Sequence, residues 1–93
     1  MAAKPPAIGH ANVEVQVGAS DAQALAQHEL DGVMRRLPKD GPPVRGQVVA
    51  AKAGGKTVYR EIIDGFASKH EANAFCAALK SQKVRCFVRT RAH

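Results

Sequence analysis

The sequence predicts an α+β fold of the ferredoxin-like kind: a split βαββαβ chain in which a four-stranded antiparallel sheet carries two helices on one face. Three observations predict it. The apolar period switches from two to between three and four and back again, twice along the chain. The pair Gly54-Gly55 separates two extended runs, as in a tight hairpin. A capping pattern, Ser20-Gln23-Ala24, returns 48 positions later as Ser68-Glu71-Ala72, so the chain reads as two β-α-β units in series. In this arrangement strands one and three are central, and the sheet face away from the helices stays open.

The elements follow in order. Val13, Val15 and Val17 alternate with Glu14 and Gln16, the period-two signature of a half-buried strand, which Gly18 ends. From Ser20, expected to cap a helix reciprocally with Gln23, the residues Ala22, Leu25, Ala26, Leu30, Val33, Met34 and Leu37 line one helical face until Pro38. The loop from Lys39 to Pro43 leads to a second strand, Val44 to Ala53. The third strand runs from Thr57 to Ile63 and stops at Asp64-Gly65. Ser68 and Glu71 then open a second helix with Ala72, Phe75, Cys76 and Leu79 inside, and Val84 to Arg89 forms the last strand.

Length and composition bound the function. A chain of 93 residues with 45% hydrophobic and 24% charged residues has room for one compact core. No apolar run approaches the roughly 20 residues that cross a bilayer, and Met1 to Pro6 lacks the apolar stretch of a secretory signal. The two prolines and Gly9-His10 read as a linker stub, which leads to the expectation of a domain taken from a longer protein. Residues 1–12 are assigned to that stub, 13–89 to the domain and 90–93 to a tail. The net charge of +6 favours an anionic partner, although the basic residues are spread along the chain.

Catalytic and metal chemistry find little support. His10, His28, His70 and His93 are scattered, two near the termini and two on outer helix faces, with no nucleophile-base-acid set among them. Cys76 and Cys86 lack a second ligand pair at zinc spacing. Gly54-Gly55-Lys56-Thr57 imitates the end of a phosphate-binding loop, but Ala50 stands where that loop needs glycine and a strand follows where it needs a helix. No enzyme activity, metal or cofactor is expected. A disulfide between Cys76 and Cys86 is geometrically conceivable. Strand alternation turns either Val84, Cys86 and Val88 or Arg85, Phe87 and Arg89 toward the helix, and the residues do not settle which; two free thiols are the default expectation.

The open sheet face is the informative surface. With Val13, Val15 and Val17 under the helices, Glu14 and Gln16 turn to the open side. With Tyr59 and Ile63 inward, Arg60 and Ile62 look out, and Glu61 is sent inward, an uncomfortable place for a carboxylate without a partner. Gln16 and Arg60 on adjacent central strands, beside Val58, Ile62 and Val88, suit a neutral or anionic ligand rich in hydroxyls, amides and carboxylates.

The segments Val15-Gln16-Val17-Gly18 and Tyr59-Arg60-Glu61-Ile62-Ile63-Asp64-Gly65-Phe66, with Ser68-Lys69-His70-Glu71-Ala72 and Lys83-Val84-Arg85-Cys86-Phe87-Val88, together resemble the SPOR (sporulation-related repeat) domain. That family shows a VQVGxF-like first strand, a YRVxxGPF-like third strand running into an S-x-x-E-A helix, and a GYxAFV-like last strand. The resemblance spans residues 13 to 89. The sequence departs from the pattern at Ala19-Ser20, where the family has an aromatic, at Glu61 in place of an apolar residue, at Asp64-Gly65 in place of Gly-Pro, and at Lys83, where glycine commonly ends the helix.

The resemblance implies a noncatalytic bacterial envelope module that binds peptidoglycan glycan strands lacking stem peptides and localises a division protein to the septum. Gln16 and Arg60 match the motif positions expected to face glycan, with Val58, Ile62 and Val88 beside them. It also implies a periplasmic, monomeric, carboxyl-terminal domain of an inner-membrane-anchored protein, whose anchor lies outside this chain. Division or cell-wall proteins are further candidate partners. Two other classes share the layout: a protein-interaction module using the open face or a sheet edge, and an RNA-recognition-like binder. The second needs aromatic residues on strands one and three. Strand one has none, and no nucleic-acid partner is expected.

Overall fold

The computed structural model describes residues 12–37, 41 and 43–90. Residues 1–11 of the expected 1–12 linker, the stop at Pro38, most of the loop after it, His10, His93 and residues 91–93 of the expected 90–93 tail lie outside these residues. The order is β1 (Val13–Ser20), α1 (Gln23–Arg35), β2 (Arg45–Ala53), β3 (Lys56–Asp64), α2 (Lys69–Ser81) and β4 (Phe87–Thr90). The strands form one antiparallel sheet in the order β2-β3-β1-β4, with β1 and β3 central as the sequence predicts.

The valine alternation determines which face of the sheet is buried. Val13, Val15 and Val17 of β1 and Ile63 of β3 pack with Leu30 of α1 and with Ala72, Cys76 and Leu79 of α2 into a single core, closed by Phe66 and Cys86. Phe66 meets Phe75 edge-on, ring centroids 5.0 Å apart. Both helices therefore cover the same face. On α1 the buried line is Ala26 and Leu30, four residues apart. Leu25, expected inside, is turned off that line and is 49% exposed.

The two helix starts differ. Ser68 caps α2 as predicted: its hydroxyl accepts from the Glu71 backbone N–H at 3.1 Å, and the Glu71 carboxylate accepts from the Ala67 N–H. Ser20 does not cap α1. Gly18 does not end β1; a bulge between Gln16 and Gly18 absorbs the irregularity, and the strand continues to Ser20, opposite Tyr59. Ser20 is thus used in the sheet, its hydroxyl accepts from Ala22 N–H, and Ala22 begins the helix without a side-chain cap.

Two turns need special backbone. Gly54 and Gly55 lie at φ 58° and 80° between Ala53 and Lys56, the two-residue hairpin the sequence predicts. At the end of α2, Lys83 adopts φ 64°, which lets its own N–H reach the Lys80 carbonyl and the Val84 N–H reach Leu79. This is the left-handed helix stop usually made by glycine. After it no residue joins the sheet until Phe87, so β4 starts later than the expected Val84 to Arg89.

Cys76 and Cys86 are joined by a disulfide, Cα atoms 5.4 Å apart, which corrects the expectation of free thiols. The bond also decides the face of β4. Cys86 turns toward α2, and Val88, paired with Val15, turns the same way, whereas Phe87 and Arg89 point to the open face.

Candidate functional site

The pairing registers lay out the open face in rows. Gln47, Ile62, Gln16 and Phe87 form one row across all four strands. To one side stand Val49, Arg60 and Ala19, then Ala51 and Val58; to the other, Arg45 opposite Asp64 and Glu14 opposite Arg89. Gln16 and Arg60 are therefore diagonal neighbours on the two central strands, within joint reach of one ligand.

The charges on this face are partly consumed within it. The Arg45 guanidinium donates to Asp64 at 2.9 Å and the Gln47 amide donates to its other oxygen at 3.1 Å, so a carboxylate almost without exposure is answered on both sides. Arg89 donates to the Gln16 carbonyl oxygen at 3.1 Å and stands 3.9 Å from Glu14. This holds the Gln16 side chain by its acceptor end, so the bond to Arg89 does not occupy its NH2 donors. Arg60 makes no hydrogen bond or ion pair among the described residues. Its neighbours in register are Val49 and Ala19, short apolar groups that leave the guanidinium room. Phe87, in the same row as Gln16, is 62% exposed.

Of the predicted site residues, Gln16, Arg60 and Val58 are brought together on the open face. Two need correction. Val88 belongs to the buried face, opposite Val15, and packs against the core, because the disulfide sets the direction of β4. Ile62 is on the open face but only 1% exposed; flanked by Gln16 and Gln47, it is the floor of the site rather than a contact surface. Phe87, Arg89, Gln47 and the Arg45–Asp64 pair were missed. For Phe87 and Arg89 no residue pattern settled the face, which follows by alternation only once Cys86 is known to be bonded to Cys76.

On the other side of β3, Glu61 points under α1 and is 2% exposed. Burial, and then the neighbouring carboxyl of Glu29 through hydrogen bonding and charge, push its carboxyl up to about 7. The backbone of Gly18 lies so close that a Cβ there would stand 2.8 Å from Glu61 Oε1. Among the described residues no three His, Cys, Asp or Glu side chains gather where a metal ion could be held. No described helix is long and apolar enough to cross a membrane.

The family model of the SPOR domain matches residues 9–90. The chain belongs to the SPOR domain family. Over 75 residues it is 33% identical to the cell division protein FtsN of Caulobacter vibrioides (strain NA1000 / CB15N), a match that covers 81% of this chain and 28% of that protein. The chain thus spans little more than a quarter of that curated relative. Its fold is also that of the peptidoglycan binding domain of the B. subtilis cell wall lytic enzyme CwlC, known from a solution structure, with a TM-score of 0.60 at 20% identity over 86% of this chain and 89% of that one. The SPOR fold here is the sheet and helix pair described above, and its open face is the surface the helices leave uncovered.

Proposed function

We propose that this SPOR domain binds peptidoglycan without cleaving it, recognising glycan strands that have lost their stem peptides, and that it brings a periplasmic, inner-membrane-anchored division protein to the septum. The observation that carries the reading is the Arg60 guanidinium, unpaired among the described residues, beside Gln16 on the sheet face that the helices leave uncovered. Removing the stem peptide exposes the lactyl carboxylate of muramic acid, an anion that a guanidinium fork fits. The Gln16 NH2 is placed to donate to acetamide or hydroxyl oxygens, and the exposed Phe87 ring offers an apolar platform for a pyranose face. Membership of the SPOR family, a relative described as a cell division protein and a structural neighbour described as a peptidoglycan binding domain support the same reading.

Charge-assisted hydrogen bonds contribute about 1.5–3 kcal/mol each, so a few of them with one aromatic contact reach micromolar affinity after the entropy of association is subtracted. The test is retention on purified sacculi with and without prior amidase treatment. Amidase should raise retention of the wild-type domain. Arg60→Ala should lower it by about tenfold or more, and Gln16→Ala and Phe87→Ala by less, with unfolding curves unchanged. Equal retention on treated and untreated sacculi would remove the specificity for bare glycan.

A further inference from the structure

The face opposite the open surface holds a feature that glycan binding does not use. Glu61 of β3 is almost fully buried beneath α1, its Oε1 occupies the space that a Cβ on Gly18 at the β1 bulge would need, and its Oε2 is sealed from solvent without a donor. The carboxyl that faces it, from Glu29 on α1, is of the same charge. Both line a cavity of about 420 Å³ together with Val17, Gly18, Arg36 and Arg85.

The groups around Glu61 decide what this pair can hold. From α1 come Glu29 and, at its end, Arg36; from the stretch before β4 comes Arg85. The adjoining β1 residues Val17, Gly18 and Ala19 and the β2 partner Val48 carry no charge. Neither arginine forms an ion pair with either carboxyl. A proton is small enough to reach an Oε2 sealed from solvent. While it is held, the Glu61 carboxyl is neutral; once it is lost, a buried negative charge without a donor stands on the same cavity wall as the exposed Glu29.

We propose that Glu61, seated beside Glu29, is a proton-dependent latch between α1 and the β1 bulge, closed while its carboxyl is protonated and loosened when that carboxyl ionises in its buried site. The bulge that Glu61 touches lies between Gln16 and Gly18, and Arg60 and Ile62 are its own neighbours in β3. Loosening therefore reaches the open face directly, through Gln16 on one strand and Arg60 on the other. The latch stands on its own geometry; its effect on glycan retention rests on the function proposed above.

The direction of the effect follows from linkage. The Glu61 carboxyl is raised from 4.5 to about 7 in the folded protein, so between those values the native state holds a proton that the unfolded chain has released. Stability is greatest at the acidic end of that window and declines as pH rises through it, with little change beyond it from this group. The experiment is urea unfolding of the intact chain from pH 5 to pH 8, with Glu61→Gln and Glu29→Gln for comparison. For the wild type the unfolding equilibrium constant should rise by about tenfold or more across the range. Glu61→Gln should flatten the profile and Glu29→Gln should reduce its slope. A wild-type profile no steeper than that of Glu61→Gln overturns the latch.

Should Glu61→Gln fail to fold, carbon-detected NMR of the wild-type Glu61 carboxyl decides instead: an inflection near neutrality supports the latch, and one in the ordinary carboxylate range overturns it. The Gly18 and Gln16 amide resonances should titrate with the same inflection; if they do not move, the link to the open face is overturned. Sacculus retention at pH 5.5 and pH 8 adds the functional arm, with stronger retention expected at the lower value in the wild type only. A domain that binds no sacculi at either pH, yet shows the stability profile, refutes the glycan reading and leaves the latch standing.

Discussion

Asp64 and Glu61 are buried to nearly the same degree, three residues apart on one strand and on opposite faces of the sheet, yet their surroundings are opposite. Asp64, on the open face, is met by a guanidinium and an amide from β2, one for each oxygen. Glu61, on the helical face, is met by another carboxyl, and one of its oxygens has no donor. Burial alone therefore says little about a carboxyl. The partner brought to it by the neighbouring element decides whether it is a structural anion or a proton acceptor.

Removing the anion that is answered should cost most. Asp64→Ala leaves Gln47 without its acceptor and releases Arg45, and a loss of about 3 kcal/mol is expected from urea unfolding at neutral pH. Arg45 is itself largely exposed and can be rehydrated. A loss below about 1 kcal/mol would therefore mean that water replaces the whole arrangement, and the contrast between the two carboxyls would dissolve.

A smaller effect is expected on the other face. Gly18→Ala drives a methyl group into the Glu61 carboxyl and should cost about 2 kcal/mol, the range of an overpacked site. In a Glu61→Ala background the same substitution should cost much less, since the group it collides with is gone. Equal costs in the two backgrounds would show that the bulge, and not the carboxyl, demands glycine there.

The smallest effect concerns the turn that joins the two faces. Lys83 leads from α2, under the sheet, to β4, whose Phe87 and Arg89 lie on top. A left-handed backbone costs a residue with a side chain about 1 kcal/mol more than glycine. Lys83→Gly should therefore raise the melting temperature by about 4–8 °C, read by circular dichroism. No gain would mean that the lysine side chain supplies compensating contacts.

Much of this was legible in the sequence. The valine period placed β1 and chose its buried face, Gly54-Gly55 placed the hairpin, and Ser68 with Glu71 placed the start of α2. These are local signals, read within a few residues. Ser20 misled for the same reason: it carries the local chemistry of a helix cap, but pairing with Tyr59 extends β1 through it. Strand parity on β3 was enough to place Arg60 beside Gln16 and to send Glu61 inward. Parity on β4 was ambiguous, because Cys86, Phe87 and Val88 are all apolar, and Val88 went to the wrong face as a result.

Periodicity, turn residues and capping patterns by themselves determined the order of elements, the layered architecture and two central members of the candidate site, because each acts through neighbours along the chain. What had to wait for the tertiary structure were the relations between distant residues: the Cys76–Cys86 bond that turns Phe87 outward, the Arg45 and Gln47 donors that answer Asp64, and the Glu29 carboxyl set against Glu61. These depend on strand register and helix seating. One residue of slip in either would exchange the faces and the partners together.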